Sequence, residues 1–164
     1  MSLAYPRRCW TLALLCALAA LTTLTACSDT AVTDTHPERW VSQRQAVFKD
    51  FTRTLEPMGL AARERRPYNP SEFAASALAL QSLASKPWAL FPADSQYPPT
   101  RAQPAVWTEP AAFLQAQQDY LAAVDALVVA AQAGTLQAVG PAVGDVQQAC
   151  KACHDRFRMV KKSP

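Results

Sequence analysis

Histidine, methionine, glycine and net charge are all scarce in this sequence. Its 164 residues include two histidines, three methionines and four glycines, and the formal charge is only +3. So small a basic excess excludes the electrostatic footprint of a nucleic-acid binder. No segment alternates apolar and polar residues in the manner of a strand, so a sheet-based fold has no support. No uncharged apolar run reaches the roughly 20 residues of a bilayer span. The run from Cys9 to Leu24 comes nearest and stops at about 16. The five cysteines are an odd number, which excludes a simple paired disulfide framework. No nucleophile–base set and no second metal site is visible, so enzymatic turnover is not indicated. What is present is a half-apolar chain, long enough to bury one core without disulfides.

The cysteines divide by position. Arg7 and Arg8 precede the short apolar run, which closes in Leu24-Thr25-Ala26-Cys27. A charged start, an apolar stretch and a small residue before the cut form an export signal. Leu-x-Ala-Cys resembles the lipobox of bacterial lipoproteins, in which the cysteine becomes the first mature residue and carries the lipid. This makes residues 1–26 a signal peptide, Cys27 the lipidation site, 27–36 a polar tether and 37–164 the folded domain. Cleavage nearby would instead leave Cys27 a free thiol. Cys9 and Cys16 are discarded with the signal. The expected location is the periplasmic side of a bacterial membrane. Ser28, in place of an inner-membrane-retaining aspartate, leans toward the outer one.

Four stretches carry helical spacing. Trp40, Arg44, Val47, Phe48, Phe51, Leu55 and Met58 recur every three or four residues, with Pro57 and Gly59 as expected stops. Asn69-Pro70-Ser71-Glu72 reads as a capped helix start, followed by Phe73, Ala77, Leu80 and Ala84 on one face and Pro87 as the stop. A proline-rich connection spans 86–108, the length expected if it runs along two parallel helices. Phe113, Tyr120 and Leu127, with Gln117, Val124 and Ala131, define a third helix that Gly134 ends. From Thr135, a heptad seam runs Val139, Val143, Val146, Cys150, Cys153, Phe157, Val160. Gly140-Pro141 is expected to delay or kink its first turn. The fold class is all-α: an antiparallel four-helix bundle with one long crossover.

Cys150-Lys151-Ala152-Cys153-His154 matches Cys-x-x-Cys-His, the attachment pattern of c-type haem. Thioethers at i and i+3 meet two vinyl groups along one porphyrin edge, and the adjacent histidine reaches the iron. A zinc site would need further ligands, and only His36 and Cys27 remain. A thioredoxin-like pair would need strands around it, and a disulfide within the helix would be strained. The cofactor expected is one covalent haem c per chain, on Cys150 and Cys153, with His154 as axial ligand.

A Cys-x-x-Cys-His this close to the end of the sequence, on the inner seam of the last helix, resembles the cytochrome c′ family. The resemblance covers about residues 37–160. Its marks are Arg44-Gln45, Lys86-Pro87-Trp88-Ala89-Leu90-Phe91, Pro104 to Trp107, Val143-Gly144-Asp145-Val146 and Arg158. Gly140-Pro141, a shortened crossover without the family's glycines, and the lipobox depart from its pattern. The resemblance implies that Arg44 pairs with a haem propionate and that Gln45 belongs to the same haem contact. It also places Arg158 beside the proximal haem pocket and implies homodimers through the first two helices.

The family's sixth iron position is approached by the residue four after the first-helix arginine, here Phe48. A phenyl ring cannot coordinate iron. Met58 lies ten residues further on, about 15 Å along a helix, and Met159 follows His154 on the same helix. The iron is therefore expected to be five-coordinate, with NO and CO as ligands, and the wall over it to lack a donor for O₂. Trp88, Phe91 and Trp107 are expected to pack the crossover over the core. Arg156, Lys161 and Lys162 are read as a solvated basic end that can guide an electron donor, and His36 as exposed tether. The two functions in view are a gas-binding protein that sequesters NO and a membrane-anchored electron-transfer cytochrome with an unknown redox partner. No nucleic-acid partner is expected.

Overall fold

A computed structural model describes residues 32–160. The export signal, Cys9, Cys16, Cys27, Lys161 and Lys162 lie outside the described residues. Within them are five helices: α1 (Trp40–Ala62), α2 (Pro70–Ala84), the single turn α3 (Ala105–Thr108), α4 (Pro110–Gln132) and α5 (Leu136–Phe157). A 3₁₀ turn spans Trp88–Leu90. The four long helices form the bundle, with α1 against α2 and α5, and α4 against α2 and α5. The described residues contain no strand, only an isolated bridge between Ala102 and Arg158. None of their helices is long and apolar enough to cross a membrane.

Apolar spacing fixes which faces meet. Leu80, Val124, Leu127, Val139 and Val146 are completely buried, and Met58 is 2% exposed. Each such side chain contributes roughly 1.5–3 kcal/mol by leaving water. Asn69 caps α2 by accepting from the backbone N–H groups of Ser71 and Glu72 at 3.0 and 3.2 Å. Thr135 caps α5 by accepting from the Ala138 N–H at 3.3 Å. Gly134 takes φ +66° after α4, a left-handed turn that suits glycine.

Several expectations are corrected. Neither Pro57 nor Gly59 ends α1, which runs on to Ala62. Burial of Met58, Gly59 and Ala61 outweighs the backbone bond lost at Pro57, because the carbonyl left free belongs to exposed Arg53, where water can satisfy it. Gly59 marks a close approach: a Cβ there would lie 2.9 Å from Gln147 Nε2 on α5. Gly140-Pro141 does not delay α5, which begins at Leu136 with Pro141 inside it. At the other end α5 stops at Phe157, so Val160 is not part of the seam and is 88% exposed. Phe113, Tyr120, Val124, Leu127 and Ala131 are buried on α4, while Gln117 is only half-buried.

The crossover does not run along parallel helices. Pro70, at the start of α2, packs beside Gly134 after α4, and Trp88, beyond the end of α2, packs on Phe113 near the start of α4. The two helices are therefore antiparallel, and the connection folds across one end of the bundle. There the Gln103 N–H donates to the Phe157 carbonyl at 2.8 Å and the Met159 N–H to the Arg101 carbonyl at 2.7 Å.

The end of the expected tether is also docked. Asp34 is buried, and its carboxylate accepts from the Ser42 N–H at 2.7 Å and the His36 N–H at 3.3 Å. It does for the first turn of α1 what Arg39, in a left-handed conformation without a side-chain cap, does not. His36 is half-buried and stacks on Tyr97 of the crossover at 5.0 Å.

Two outcomes follow for stability. Desolvation opposes ionisation of Asp34, but the hydrogen bonds from Ser42 and His36 outweigh it and hold the carboxyl below its ordinary value. Its contribution is therefore present above about pH 3.9 and is lost as pH falls through the lowered native value. Asp34→Ala should lower the urea midpoint at pH 7, with the gap from the parent closing in strong acid. Gly59→Ala should be neutral or stabilising by up to about 1 kcal/mol in thermal melts, since only the flexible end of Gln147 must move.

Candidate functional site

The packing leaves one end of the bundle incompletely filled. Two adjacent cavities, of about 400 and 390 Å³, open between α1, α5 and the crossover. They share Phe48, Trp88, Cys153 and His154. The first lobe is walled by Phe51 and Leu55 of α1, Tyr120 of α4 and Cys150 of α5. The second is lined by Arg44, Gln45, Phe91, Arg101, Phe113 and Arg158, among others. The lobes lie where the main core meets a smaller cluster of Val106, Phe113 and Phe157, and Trp88 packs against both.

Cys150 and Cys153 are half-buried free thiols one helical turn apart. Burial and then the neighbouring Cys153 push Cys150 up to about 11, and burial raises Cys153 as well. Both are therefore protonated at neutral pH, unlike the low-pKa thiolate of a redox pair. Among the described residues no cluster of three or more potential metal ligands occurs. His154 opens on both lobes. Desolvation, followed by the charges of Arg158 and Arg101, holds its pKa below the ordinary value and keeps the imidazole neutral. A neutral imidazole is the form that ligates a metal.

Phe48 lines both lobes. Its ring lies 5.5 Å from Phe51, 6.2 Å from Trp88 and 6.4 Å from Phe91. Neither methionine of the described residues lines a lobe: Met58 is deep in the core and Met159 lies past the end of α5, 38% exposed. His36 is likewise away from both, on Tyr97.

Arg44 lines the second lobe and also anchors the crossover. It is 3% exposed and four of its N–H donors are taken by the crossover. Nη1 donates to the Leu90 carbonyl and Ser95 Oγ, both at 2.9 Å. Nη2 donates to the Ser95 carbonyl at 3.0 Å and Thr100 Oγ1 at 2.6 Å. The guanidinium also lies 4.6 Å from the Phe91 ring centre. Gln45 is exposed beside it at the second lobe. Arg158 is not on the helix: its backbone is extended, its N–H caps α5 on the His154 carbonyl, and it lines the second lobe. Arg156 is engaged with Glu109, and Trp107 Nε1 donates to the Phe91 and Pro92 carbonyls.

Two contributors escaped the sequence reading as site residues. Arg101 enters the second lobe because the bridge to Arg158 brings the crossover there. Tyr120 has the spacing of a core residue, and only its hydroxyl, at a heptad position otherwise held by Phe113 and Leu127, sets it apart in the sequence. Trp88 Nε1 and Tyr120 Oη are both buried without a partner. Each costs roughly 1–3 kcal/mol left unpaired. Two thiols one turn apart, a neutral imidazole and largely apolar walls together fit a covalently held haem.

Comparison with known proteins agrees. The family profile described as "Cytochrome C'" matches residues 39–158. A cytochrome c' of Alcaligenes xylosoxydans xylosoxydans is 33% identical over 125 residues, which are 76% of this chain and 97% of that protein. One from Rubrivivax gelatinosus is 34% identical over 120 residues, 72% of this chain and 92% of its own. The fold resembles a nitric oxide complex of a variant cytochrome c prime from Alcaligenes xylosoxidans, with TM-score 0.72, 31% identity and coverage of 78% of this chain and 100% of that one. A carbon monoxide-bound variant from the same organism gives the same figures.

Because Arg44 holds three separate points of the crossover, Arg44→Ala should cost roughly 3 kcal/mol, through the acceptors it leaves buried. Arg44→Lys should recover only part of this, since an ammonium cannot span the same fork. Chemical denaturation of the three proteins checks both.

Proposed function

Since the chain belongs to the cytochrome c′ family and so carries covalent haem c, we propose that it binds NO and CO at a five-coordinate, high-spin iron, and that it serves to sequester or tolerate NO. Cys150 and Cys153 form the thioethers, and His154 is the one axial protein ligand. One observation carries the reading: Phe48 lines both lobes and no methionine or second histidine does. When bound, the haem supplies an iron with one axial position open to a small ligand. Phe48, Phe51, Leu55 and Trp88 keep that side apolar, so an anion entering it loses hydration that the wall does not replace. Small uncharged ligands escape that cost.

Arg44, Gln45, Arg101 and Arg158 lie at the second lobe and are the polar groups nearest to hand for haem carboxylates. Arg44 acts through the crossover, holding Phe91 and the 3₁₀ turn that carries Trp88. The export signal and lipobox support a location on the periplasmic side, anchored through a lipid on Cys27. The structures of relatives with NO and CO bound support the choice of ligands.

Absorption spectra of both oxidation states, with and without NO, CO and cyanide, test the proposal. High-spin spectra that respond to NO and CO but not to cyanide are expected. A low-spin, ligand-insensitive spectrum would overturn it in favour of an electron carrier. Phe48→Met should convert the spectrum to low-spin and six-coordinate and weaken CO binding.

A further inference from the structure

The segment that leads into α1 is fastened to the crossover. The Asp34 carboxylate accepts from the Ser42 N–H at 2.7 Å. His36 stacks on Tyr97 at 5.0 Å, with Nε2 3.6 Å from the Asp94 carboxylate. The same crossover carries Trp88, Phe91 and Arg101 to the cavity lobes. The chain therefore enters the bundle at its haem end. The turn between α1 and α2 lies at the other end, because the 23 residues of α1 extend about 35 Å.

The groups exposed at the haem end are apolar and basic. Val32, two residues before docked Asp34, is 62% exposed. The Met159 N–H bonds to the Arg101 carbonyl of the crossover, and Met159 and Val160 both face solvent. Arg39 and Arg158 are exposed at the same end, against exposed Glu38 and an Asp94 that faces His36. In the sequence, Val160 is followed directly by Lys161 and Lys162. Apolar side chains set among cations suit the interface of an anionic bilayer, where the first enter the headgroup layer and the second meet phosphate. Reach agrees. Only seven residue steps separate Cys27 from Asp34, about 25 Å at full stretch.

We infer that the crossover end of the domain rests on an anionic phospholipid surface, and that the short tether holds the haem cleft against it. The inference rests on the lipid-anchored reading and deepens it by naming the surface that faces the lipid. Uncharged diatomics dissolve better in hydrocarbon than in water, so the cleft stands beside the phase richer in them.

The test uses the full-length, acylated, haem-loaded protein in vesicles of phosphatidylcholine and phosphatidylglycerol, with and without a nickel-chelating lipid. A nitroxide is attached at the crossover through Gln96→Cys, or at the far turn through Arg65→Cys, both exposed positions. Nickel should relax the label at position 96 several-fold more than the label at position 65. A long Gly-Ser insertion after Ser28 should shrink that difference, as should Val32→Glu combined with Val160→Glu. Equal relaxation at the two positions, or more at 65, overturns the inference, and so does a difference that neither change reduces. A dimer in detergent that Val160→Glu dissociates would assign the patch to a second copy and overturn it too. If the protein does not float with the vesicles, the anchored reading falls and takes this inference with it. If it floats with both labels equally relaxed, the inference alone falls.

Discussion

The guanidinium of Arg44 is buried on α1 and gives four hydrogen bonds to a segment with little regular structure of its own. Without it, the backbone carbonyls of Leu90 and Ser95 would face an apolar interior unpaired. With it, the crossover lies flat across the end of the bundle. Phe91 rests on the guanidinium, the turn before it carries Trp88, and both meet Phe48. The wall opposite His154 is therefore assembled from two elements that a single side chain joins. A lysine offers charge there, but not the fork that reaches three points at once.

The site follows from where the bundle is well packed and where it is not. Along most of its length, α1, α2, α4 and α5 close on small and branched side chains such as Ala77, Val124 and Val139. Toward the last turns of α5, the core positions pass to Cys150 and Cys153, and aromatic rings from three directions stand back from them. The bundle thereby leaves room for a large flat group without giving up its helices. Apolar rings wall both lobes, while Arg44, Arg101 and Arg158 line the second and exposed Arg63 and Glu56 the first.

Much of this was legible because helix physics is local. The spacing of Phe113, Tyr120 and Leu127, the cap at Asn69 and the turn at Gly134 each depend on residues within a few positions of one another. Cys-x-x-Cys-His is equally local, and so was the chemistry read from it. The misreadings all involve partners remote in sequence. Pro57 and Gly59 look like stops until α5 is set beside them. Asp34 looks like tether until Ser42 is folded back onto it. Arg44 gives no local sign that it also anchors Ser95 and Thr100, 51 and 56 residues away. Arg101 carries no local mark, because only the Ala102–Arg158 bridge brings it to the site.

That bridge bears on the order in which the chain assembles. The bonds that shut the cleft join residues 46 to 58 apart, from Arg44 to Leu90 and from Arg101 to Met159. The hairpins α1–α2 and α4–α5 close over far shorter loops, and loop entropy favours them first. The crossover is thus the last strap to fasten. Until it does, the two thiols sit on a formed helix at an open edge, accessible to the chemistry that joins them to their cofactor.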